Sequence, residues 1–284
     1  MELRVAAVQM NSGDDKAANI AQAEELIERA AQSGAQLIAL PELWTYLGPT
    51  EGNIPNAEPI PGPTIERLAA LARRHHVTLH CGSMLERPDH PEADPRPYNT
   101  AAVLNHDGRL IAKYRKIHLF DAIPTGSTAP YLESEGIQPG SEIVTFEAEG
   151  LHIGLAICYD LRFPELFRIL ALRGVQLIVM GSAFTMQTGR DHWEVLVRAR
   201  AIENGVYLLA PDQVGAHPPR RVAYGRSMIV DPWGTVVAQA PDLPGVITAE
   251  INLERLADVR RQLPSLANRQ PHAYRWAEAA EESR

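Results

Sequence analysis

The sequence predicts an α/β fold, a four-layer αββα sandwich with two facing mixed sheets, helices outside and an internal pseudo-twofold symmetry. Three observations predict it. Strand and helix signals alternate from the first residue. The second half of the chain repeats the order of the first, and each half closes with a strand–turn–strand. The 284 residues, 45% of them hydrophobic, supply one large core, as α/β chains of about 250 residues often do.

In the first half a strand covers Leu3–Met10. Ile20, Ala23, Ile27, Ala30 and Ala31 recur at helical spacing, and the helix they mark ends near Ser33-Gly34. A strand over Gln36–Leu40 leads into a loop rich in proline and glycine, Pro41 to Pro63, and then a helix over Thr64–His75. Strand Val77–Met84 precedes a Pro/Asp-rich insertion, Arg87–Pro97. A hairpin follows, Asn99–Asn105 against Arg109–Lys116, turned by His106-Asp107-Gly108. The stretch Ile117–Ser141, about 25 residues, is too long for a plain link; loops of that size are functional or disordered.

The second half starts with an apolar strand, Leu151–Ile157, and a helix over Pro164–Arg173 closed by Gly174. Strand Gln176–Met180, loop Gly181–Arg190, helix Asp191–Asn204 and strand Val206–Ala210 follow. A second hairpin, Ser227–Val230 and Thr235–Gln239, turns at Asp231-Pro232-Trp233-Gly234. Residues 1–262 read as one domain. Residues 263–284 read as an arm, with Leu266, Tyr274 and Trp276 packed on something such as a second subunit before an acidic tail frays.

Composition excludes several functions. A net charge of −8 argues against nucleic acid or an anionic membrane as partner. No apolar run reaches the ~18 residues of a membrane span. Cys81 and Cys158 lie far apart and outside any CxxC, so no disulfide framework is expected and a reducing compartment is. The N-terminus begins a strand at once without a signal-peptide pattern, so the expectation is a soluble cytoplasmic protein. There is no GxGxxG, P-loop, HExxH or GxSxG. His75-His76 and His80-Cys81 lack ligand partners at sensible spacing, and Cys81, mid-strand, reads as structural; no metal site is expected.

Chemistry concentrates where strands end in irregular loops, the usual place for α/β sites. Cys158 stands between the strand ending at Ile157 and the helix starting at Pro164-Glu165, on a sharp turn with free backbone N–H groups. Such a corner favours a thiolate and an oxyanion. The window alone leaves two readings, a nucleophile and a small core residue. Glu42, after Leu40-Pro41, alone reads as a surface acid. Lys116, in Tyr114-Arg115-Lys116-Ile117-His118, alone reads as a solvated cation. Converging, the three offer a nucleophile, a general base and a cation for a developing oxyanion.

Taken together, these segments resemble the nitrilase superfamily of carbon–nitrogen hydrolases. Its Glu-Lys-Cys set matches Glu42, Lys116 and Cys158 in that order, and the likeness runs from Val5-Ala-Ala-Val-Gln9 to about Tyr274. The joint spacing is specific where any one motif is weak. The family's second glutamate, in a Glu-Ser pair ahead of Pro-Gly, matches Glu133-Ser134 before Pro139-Gly140; Glu135, which lacks the serine, is the weaker stand-in. Cys158-Tyr159-Asp160 followed by Arg162 is similar to the amidase branches rather than the nitrile-cleaving ones. Gly181–Thr185, His192-Trp193-Glu194 and Arg198–Asn204 most resemble the branch of deaminated-glutathione amidase and ω-amidase. Arg190-Asp191, Arg226 and Pro211-Asp212 depart from that branch and put substrate identity in doubt.

What the resemblance implies is a thioester amidase without cofactor or metal. Glu42 acts as base and acid, Lys116 and the Tyr159 N–H hold the oxyanion, and Glu133 positions Lys116 or the substrate nitrogen. Arg162, Ser182, Ala183, Phe184, Thr185 and Arg190 form the substrate pocket, with Arg162 or Arg190 taking a substrate carboxylate. The implied partner is a small amide, and the implied assembly is a homodimer or higher homo-oligomer, formed through helices near the cysteine and the C-terminal arm. An N-carbamoyl amino acid hydrolase, a general aliphatic amidase or nitrilase, and a silent interaction protein on the same scaffold remain alternatives.

Overall fold

A computed structural model describes residues 2–123, 131–219 and 221–274. The first half begins with β1 (Glu2–Gln9), α1 (Lys16–Gln32) and β2 (Leu37–Ala39). The Pro41–Pro63 loop holds one short helix, α2 (Asn53–Asn56), before α3 (Pro63–His75) and β3 (Thr78–Glu86). Then come the hairpin β4 (Tyr98–Leu104) and β5 (Leu110–Arg115) and two small strands, β6 (Asp121–Ala122) and β7 (Tyr131–Leu132). The second half runs β8 (Thr145–Ala148), β9 (Leu151–Ile157), α4 (Pro164–Leu172), β10 (Leu177–Gly181), α5 (Met186–Asn204) and β11 (Tyr207–Ala210). Two hairpins follow, β12 (Val214–His217) with β13 (Arg221–Tyr224) and β14 (Met228–Val230) with β15 (Val236–Gln239). β16 (Gly245–Asn252) and α6 (Leu253–Gln262) complete the fold.

Both large sheets have six strands, ordered β16-β1-β2-β3-β4-β5 and β15-β14-β11-β10-β9-β8. Each has three parallel strands flanked by an antiparallel hairpin on one side and one antiparallel strand on the other. The strand period of two divides each strand between layers. Val5, Ala7, Leu37 and Ala39 join Ile153, Leu155, Leu177 and Val179 in the core between the sheets. Their neighbours Ala6, Val8, Ile38 and Leu40 pack outward against Ile20, Ile27 and Leu68 of α1 and α3. This is the αββα sandwich the sequence predicts.

Local chemistry sets the helix ends. The Asp15 side chain accepts from Ala17 and Ala18 N–H at the start of α1, and the Asn252 side chain accepts from Glu254 and Arg255 N–H at the start of α6. Prolines open α3 and α4.

The structure corrects several expectations. α5 begins at Met186, not Asp191, because Thr185 caps it and accepts from Thr188 N–H. Gly189 is therefore a helical residue, and its missing side chain makes room for Tyr224. β8, β16, α6 and the β12–β13 hairpin were not expected. β16 pairs along the whole of β1, a partner nearly the length of the chain away. In the arm, Leu266 packs against the chain's own core and Tyr274 is exposed; Trp276 and the acidic tail lie outside the described residues. No helix among the described residues is long and apolar enough to cross a membrane.

Gly82, in β3, has φ +60°, and a Cβ there would collide with the Pro41 carbonyl and the Trp44 ring. Gly82→Ala combines overpacking with a left-handed backbone, together on the order of 2–4 kcal/mol. We expect a lower thermal midpoint, since the added methyl displaces the turn that carries Glu42. An unchanged midpoint by calorimetry contradicts this packing.

Candidate active site

Three strand ends meet at one point. Glu42 follows β2, and its turn is tied down on both sides. Leu43 N–H donates to Ser83 Oγ at 3.0 Å, and the Trp44 indole N–H donates to the Cys81 carbonyl at 2.6 Å. Glu42 N–H donates across to the Ser182 carbonyl of the second sheet at 3.3 Å. Lys116 follows β5, its N–H on the Asn99 carbonyl at 2.9 Å. Cys158 follows β9 and holds φ +45°. A non-glycine residue there costs about 1–2 kcal/mol, so the surroundings must hold it.

Asp160 supplies that hold. Its fully buried carboxylate accepts from Ile157 N–H (2.8 Å), Tyr114 Oη (2.6 Å), His118 Nδ1 (2.7 Å) and His118 N–H (3.2 Å). The His118 ring stacks on Phe163 with centroids 3.6 Å apart. Five residues, Cys158–Arg162, make a 3-10 turn between the cysteine and α4, so α4 starts six residues beyond the sulfur.

At the centre lies Lys116, buried, with Nζ 2.8 Å from Glu42 Oε1 and 2.8 and 3.1 Å from Glu133 Oε2 and Oε1. Asn99 Nδ2 donates to the same Glu42 oxygen at 2.8 Å and to Glu133 at 3.2 Å. Phe120 N–H donates to Glu133 Oε2 at 2.7 Å. Burial favours the neutral amine, but Glu133 and then Glu42 outweigh it and hold the Lys116 ammonium well above the ordinary lysine range.

Cys158 behaves in the opposite sense. Burial, then the Glu42 charge, pushes its thiol well above the ordinary range, outweighing Lys116 and a hydrogen bond from Ala183 N–H. Burial and the neighbouring Glu42 thus favour the thiol over the thiolate that the turn geometry suggested. Cys81 is buried and its thiol is pushed up by burial alone in the main, as befits a structural residue.

The four residues line a cavity that opens to solvent, with about 900 Å³ of space including its mouth. Ala183 and Thr185 line it. Tyr159, Arg162 and Phe184 line a smaller adjoining lobe of about 220 Å³, which shares Cys158. Two expected pocket residues are corrected. Ser182 is fully buried and lines neither space; its backbone carbonyl holds Glu42 instead. Arg190 projects into solvent from α5 and pairs with Asp191 at 3.0 Å, so the early helix start turns it away. Arg226 likewise pairs with Asp242 at 2.7 Å. Glu135 lines neither space, whereas Glu133 reaches Lys116.

Residues to which the sequence assigned no role also contribute: Asn99, Phe120, Asp160, His217 and Arg221. Asn99 and Thr100 are buried polar residues at the start of a strand that is apolar beyond them, and that was the available signal. Asp212 is fully buried and accepts from Phe184 N–H at 3.0 Å; burial pushes its carboxyl well above the ordinary range, and Glu42 adds to the rise. Among the described residues no three His, Cys, Asp or Glu side chains group as metal ligands.

Comparison with known proteins fits this geometry. The family described as Carbon-nitrogen hydrolase matches residues 4–261. A Synechocystis protein named deaminated glutathione amidase is 42% identical over 267 residues, covering 93% of this chain and 97% of its own. A Xenopus tropicalis protein named omega-amidase NIT2 is 41% identical over 274 residues, 96% of this chain and 97% of its own. The solved structure of the C. elegans NitFhit protein superposes with a TM-score of 0.89 at 37% identity, covering 96% of this chain and 66% of that one.

Asp212 gives a pH test. Its raised folded-state value makes the protonated form the stable one, so its contribution is present below the unfolded value and is lost as pH rises. Asp212→Asn keeps the neutral shape. We expect the variant's thermal midpoint to gain on wild type as pH goes from about 5 to about 8; a gap that does not change with pH contradicts the reading.

Proposed function

From this chain's membership of the carbon–nitrogen hydrolase family, we propose that it cleaves small acid-bearing amides through a thioester on Cys158. Glu42, Lys116 and Glu133 complete the catalytic set. The observation that carries the reading is the buried Lys116 ammonium bridging Glu42 and Glu133 at 2.8 Å each, beside the only cysteine facing the cavity.

The chemistry follows from where the charges sit. Glu42 takes the Cys158 proton as sulfur attacks the amide carbon, and the carbonyl electron pair moves onto oxygen. Lys116 and a backbone N–H, with Tyr159 the candidate, stabilise that oxyanion. As the tetrahedral species collapses, the C–N bond breaks and Glu42 returns the proton to the departing amine. Water then attacks the thioester, Glu42 again takes the proton, and acid and thiol are released. Glu133 holds the ammonium in place, so that proton traffic runs through Glu42. No step calls on a metal or organic cofactor.

The substrate reading is a carboxylate on the acyl side, with deaminated glutathione or a 2-oxo-dicarboxylic acid monoamide as the leading compounds. The names of the relatives support it, as does Arg162. This guanidinium lies over the Phe184 ring at 5.5 Å in the small lobe, with no carboxylate bonded to it among the described residues. A homodimer built through the helices near Cys158 is also part of the reading. Exposed Ile169 and Leu172 on α4 and Val195 and Ile202 on α5 support it as an apolar face. A cytoplasmic location is supported by two free cysteines.

Two measurements test this. Cys158→Ala is expected to lose more than about a thousandfold in kcat with the fold intact, and Glu133→Gln roughly 10²–10³. Residual Cys158→Ala turnover above that level rules out covalent catalysis. For substrate, kcat/KM of an acid-bearing amide is expected to exceed that of its neutral analogue by about 2–4 kcal/mol in transition-state binding. Equal values, or a preference for a carbamoyl amino acid, overturn the acyl-side reading.

A further inference from the structure

The segment that carries Glu133 has little to hold itself in place. Glu133–Glu135 is a single 3-10 turn whose start has no side-chain cap, and so short a turn gains few internal hydrogen bonds. Its closing bond, from Gly136 N–H to the Glu133 carbonyl, measures 3.1 Å, and Glu133 N–H reaches the Phe120 carbonyl only at 3.4 Å. Leu132, Glu133, Gly136 and Ile137 nevertheless form one wall of the cavity, with the Glu133 carboxylate on Lys116. Support must come from outside the turn.

It comes from the Pro/Asp-rich stretch Arg87–Pro97, which no step of the chemistry uses. Arg96 Nη1 donates to the Ser134 carbonyl at 2.5 Å, while Ser134 N–H donates to Asp121 Oδ1 at 3.0 Å. The residue next to Glu133 is thus gripped on both sides of its backbone. Arg96 is itself aimed. Asp94 accepts from its Nε at 3.0 Å and its Nη2 at 2.5 Å, a two-point fork, and from its backbone N–H at 3.0 Å.

The backbone of this stretch is tied down as well. Gln138 Nε2, just beyond the turn, donates to the Arg96 carbonyl at 2.6 Å, and Gln138 N–H donates to the Pro97 carbonyl at 2.9 Å. Asp94 and Arg96 each precede a proline, whose ring disfavours helical backbone at the residue before it. The strap is therefore stiff before it docks, and ordering it costs less entropy. Three residues on, β4 carries Asn99, which donates to both Glu42 and Glu133.

Asp94 cancels the charge of Arg96, and Arg96 lines neither space beside the sulfur. Its effect on the site is then mechanical rather than electrostatic. We propose that Arg96, aimed by Asp94, is a positioning residue that holds the Glu133 turn against Lys116. The inference rests on the catalytic role of Glu133 proposed above. A catalytic group misplaced by about 1 Å can cost on the order of 10²-fold in rate, and because Arg96 does not meet the substrate, its loss falls on kcat.

Ammonia release from succinamate is the probe. Arg96→Ala is expected to lower kcat on the order of 10-fold with KM within about twofold. Asp94→Ala should do nearly the same, since an unaimed guanidinium leaves Ser134; an unchanged kcat there would mark a role through charge and overturn the mechanical one. Arg96→Lys, which restores the cation without the fork, should recover part of the loss. The decisive comparison is made in a Glu133→Gln background. There Arg96→Ala is expected to cost no more than about twofold, because the group it positions is gone. Equal losses in both backgrounds overturn the proposal, as does an Arg96→Ala enzyme with wild-type kcat beside a Glu133→Gln enzyme that has lost its own. Wild-type kinetics in Glu133→Gln would instead strike the catalytic reading of Glu133. In that event, or if succinamate is not turned over, the same four proteins are compared by calorimetry. A midpoint loss from Arg96→Ala that shrinks beside Glu133→Gln supports the strap, and additive losses overturn it.

Discussion

Everything at this site depends on one buried ammonium. Lys116 is removed from water, which opposes its charge, and two carboxylates at 2.8 Å restore it. Two acids and one base leave the cluster net acidic, and burial first, then the Glu42 charge, raise the neighbouring thiol. In the proposed mechanism Glu42 takes the sulfur's proton when an electrophile arrives, and the ammonium meets the charge that next appears. The arrangement demands rigidity, because an ammonium freed from either partner in a dry site loses its charge.

The fold meets that demand by drawing the cluster from both sheets. Glu42 leaves the first sheet but donates its N–H to Ser182 of the second, and the Gln213 side chain donates to the Glu42 carbonyl at 3.0 Å. Cys158 leaves the second sheet, while the Asp160 beneath it is bonded by Tyr114 and His118 of the first half. The two halves thus clamp each other: the second holds the turn at Glu42, and the first holds the turn at Cys158 through Asp160. The left-handed backbone at Cys158 persists because four hydrogen bonds to Asp160 over-determine it.

The parts legible in the sequence were those with local causes. β1, β9 and β10 are short apolar runs between turn residues, and α1 and α3 show helical spacing, α1 ending at Ser33-Gly34 and α3 opening after the proline-rich loop, so their period and ends could be read directly. The reactive group at Cys158 was legible because a strand end, a turn and Pro164 coincide. β16 was not, because its partner β1 is at the other end of the chain and nothing local announces that pairing. The start of α5 was hidden by Gly189 and Arg190, which look like loop until Tyr224 is seen filling the glycine's space. Arg190 was misplaced for that reason, and Arg221 escaped notice because the hairpin carrying it went unrecognised. The thiol's protonation state depends on summed burial and charge in three dimensions, which a turn pattern does not contain.

The most direct test of the account is the ultraviolet titration of the resting enzyme's thiolate absorbance, with Cys158→Ala as the blank. The cluster predicts no Cys158 ionisation step at or below about pH 8.5, the value of an unperturbed thiol, because burial and Glu42 both hold the proton on sulfur. A Cys158 step near neutral pH would contradict it, and would mean that the free enzyme already carries a thiolate and does not need Glu42 to generate it.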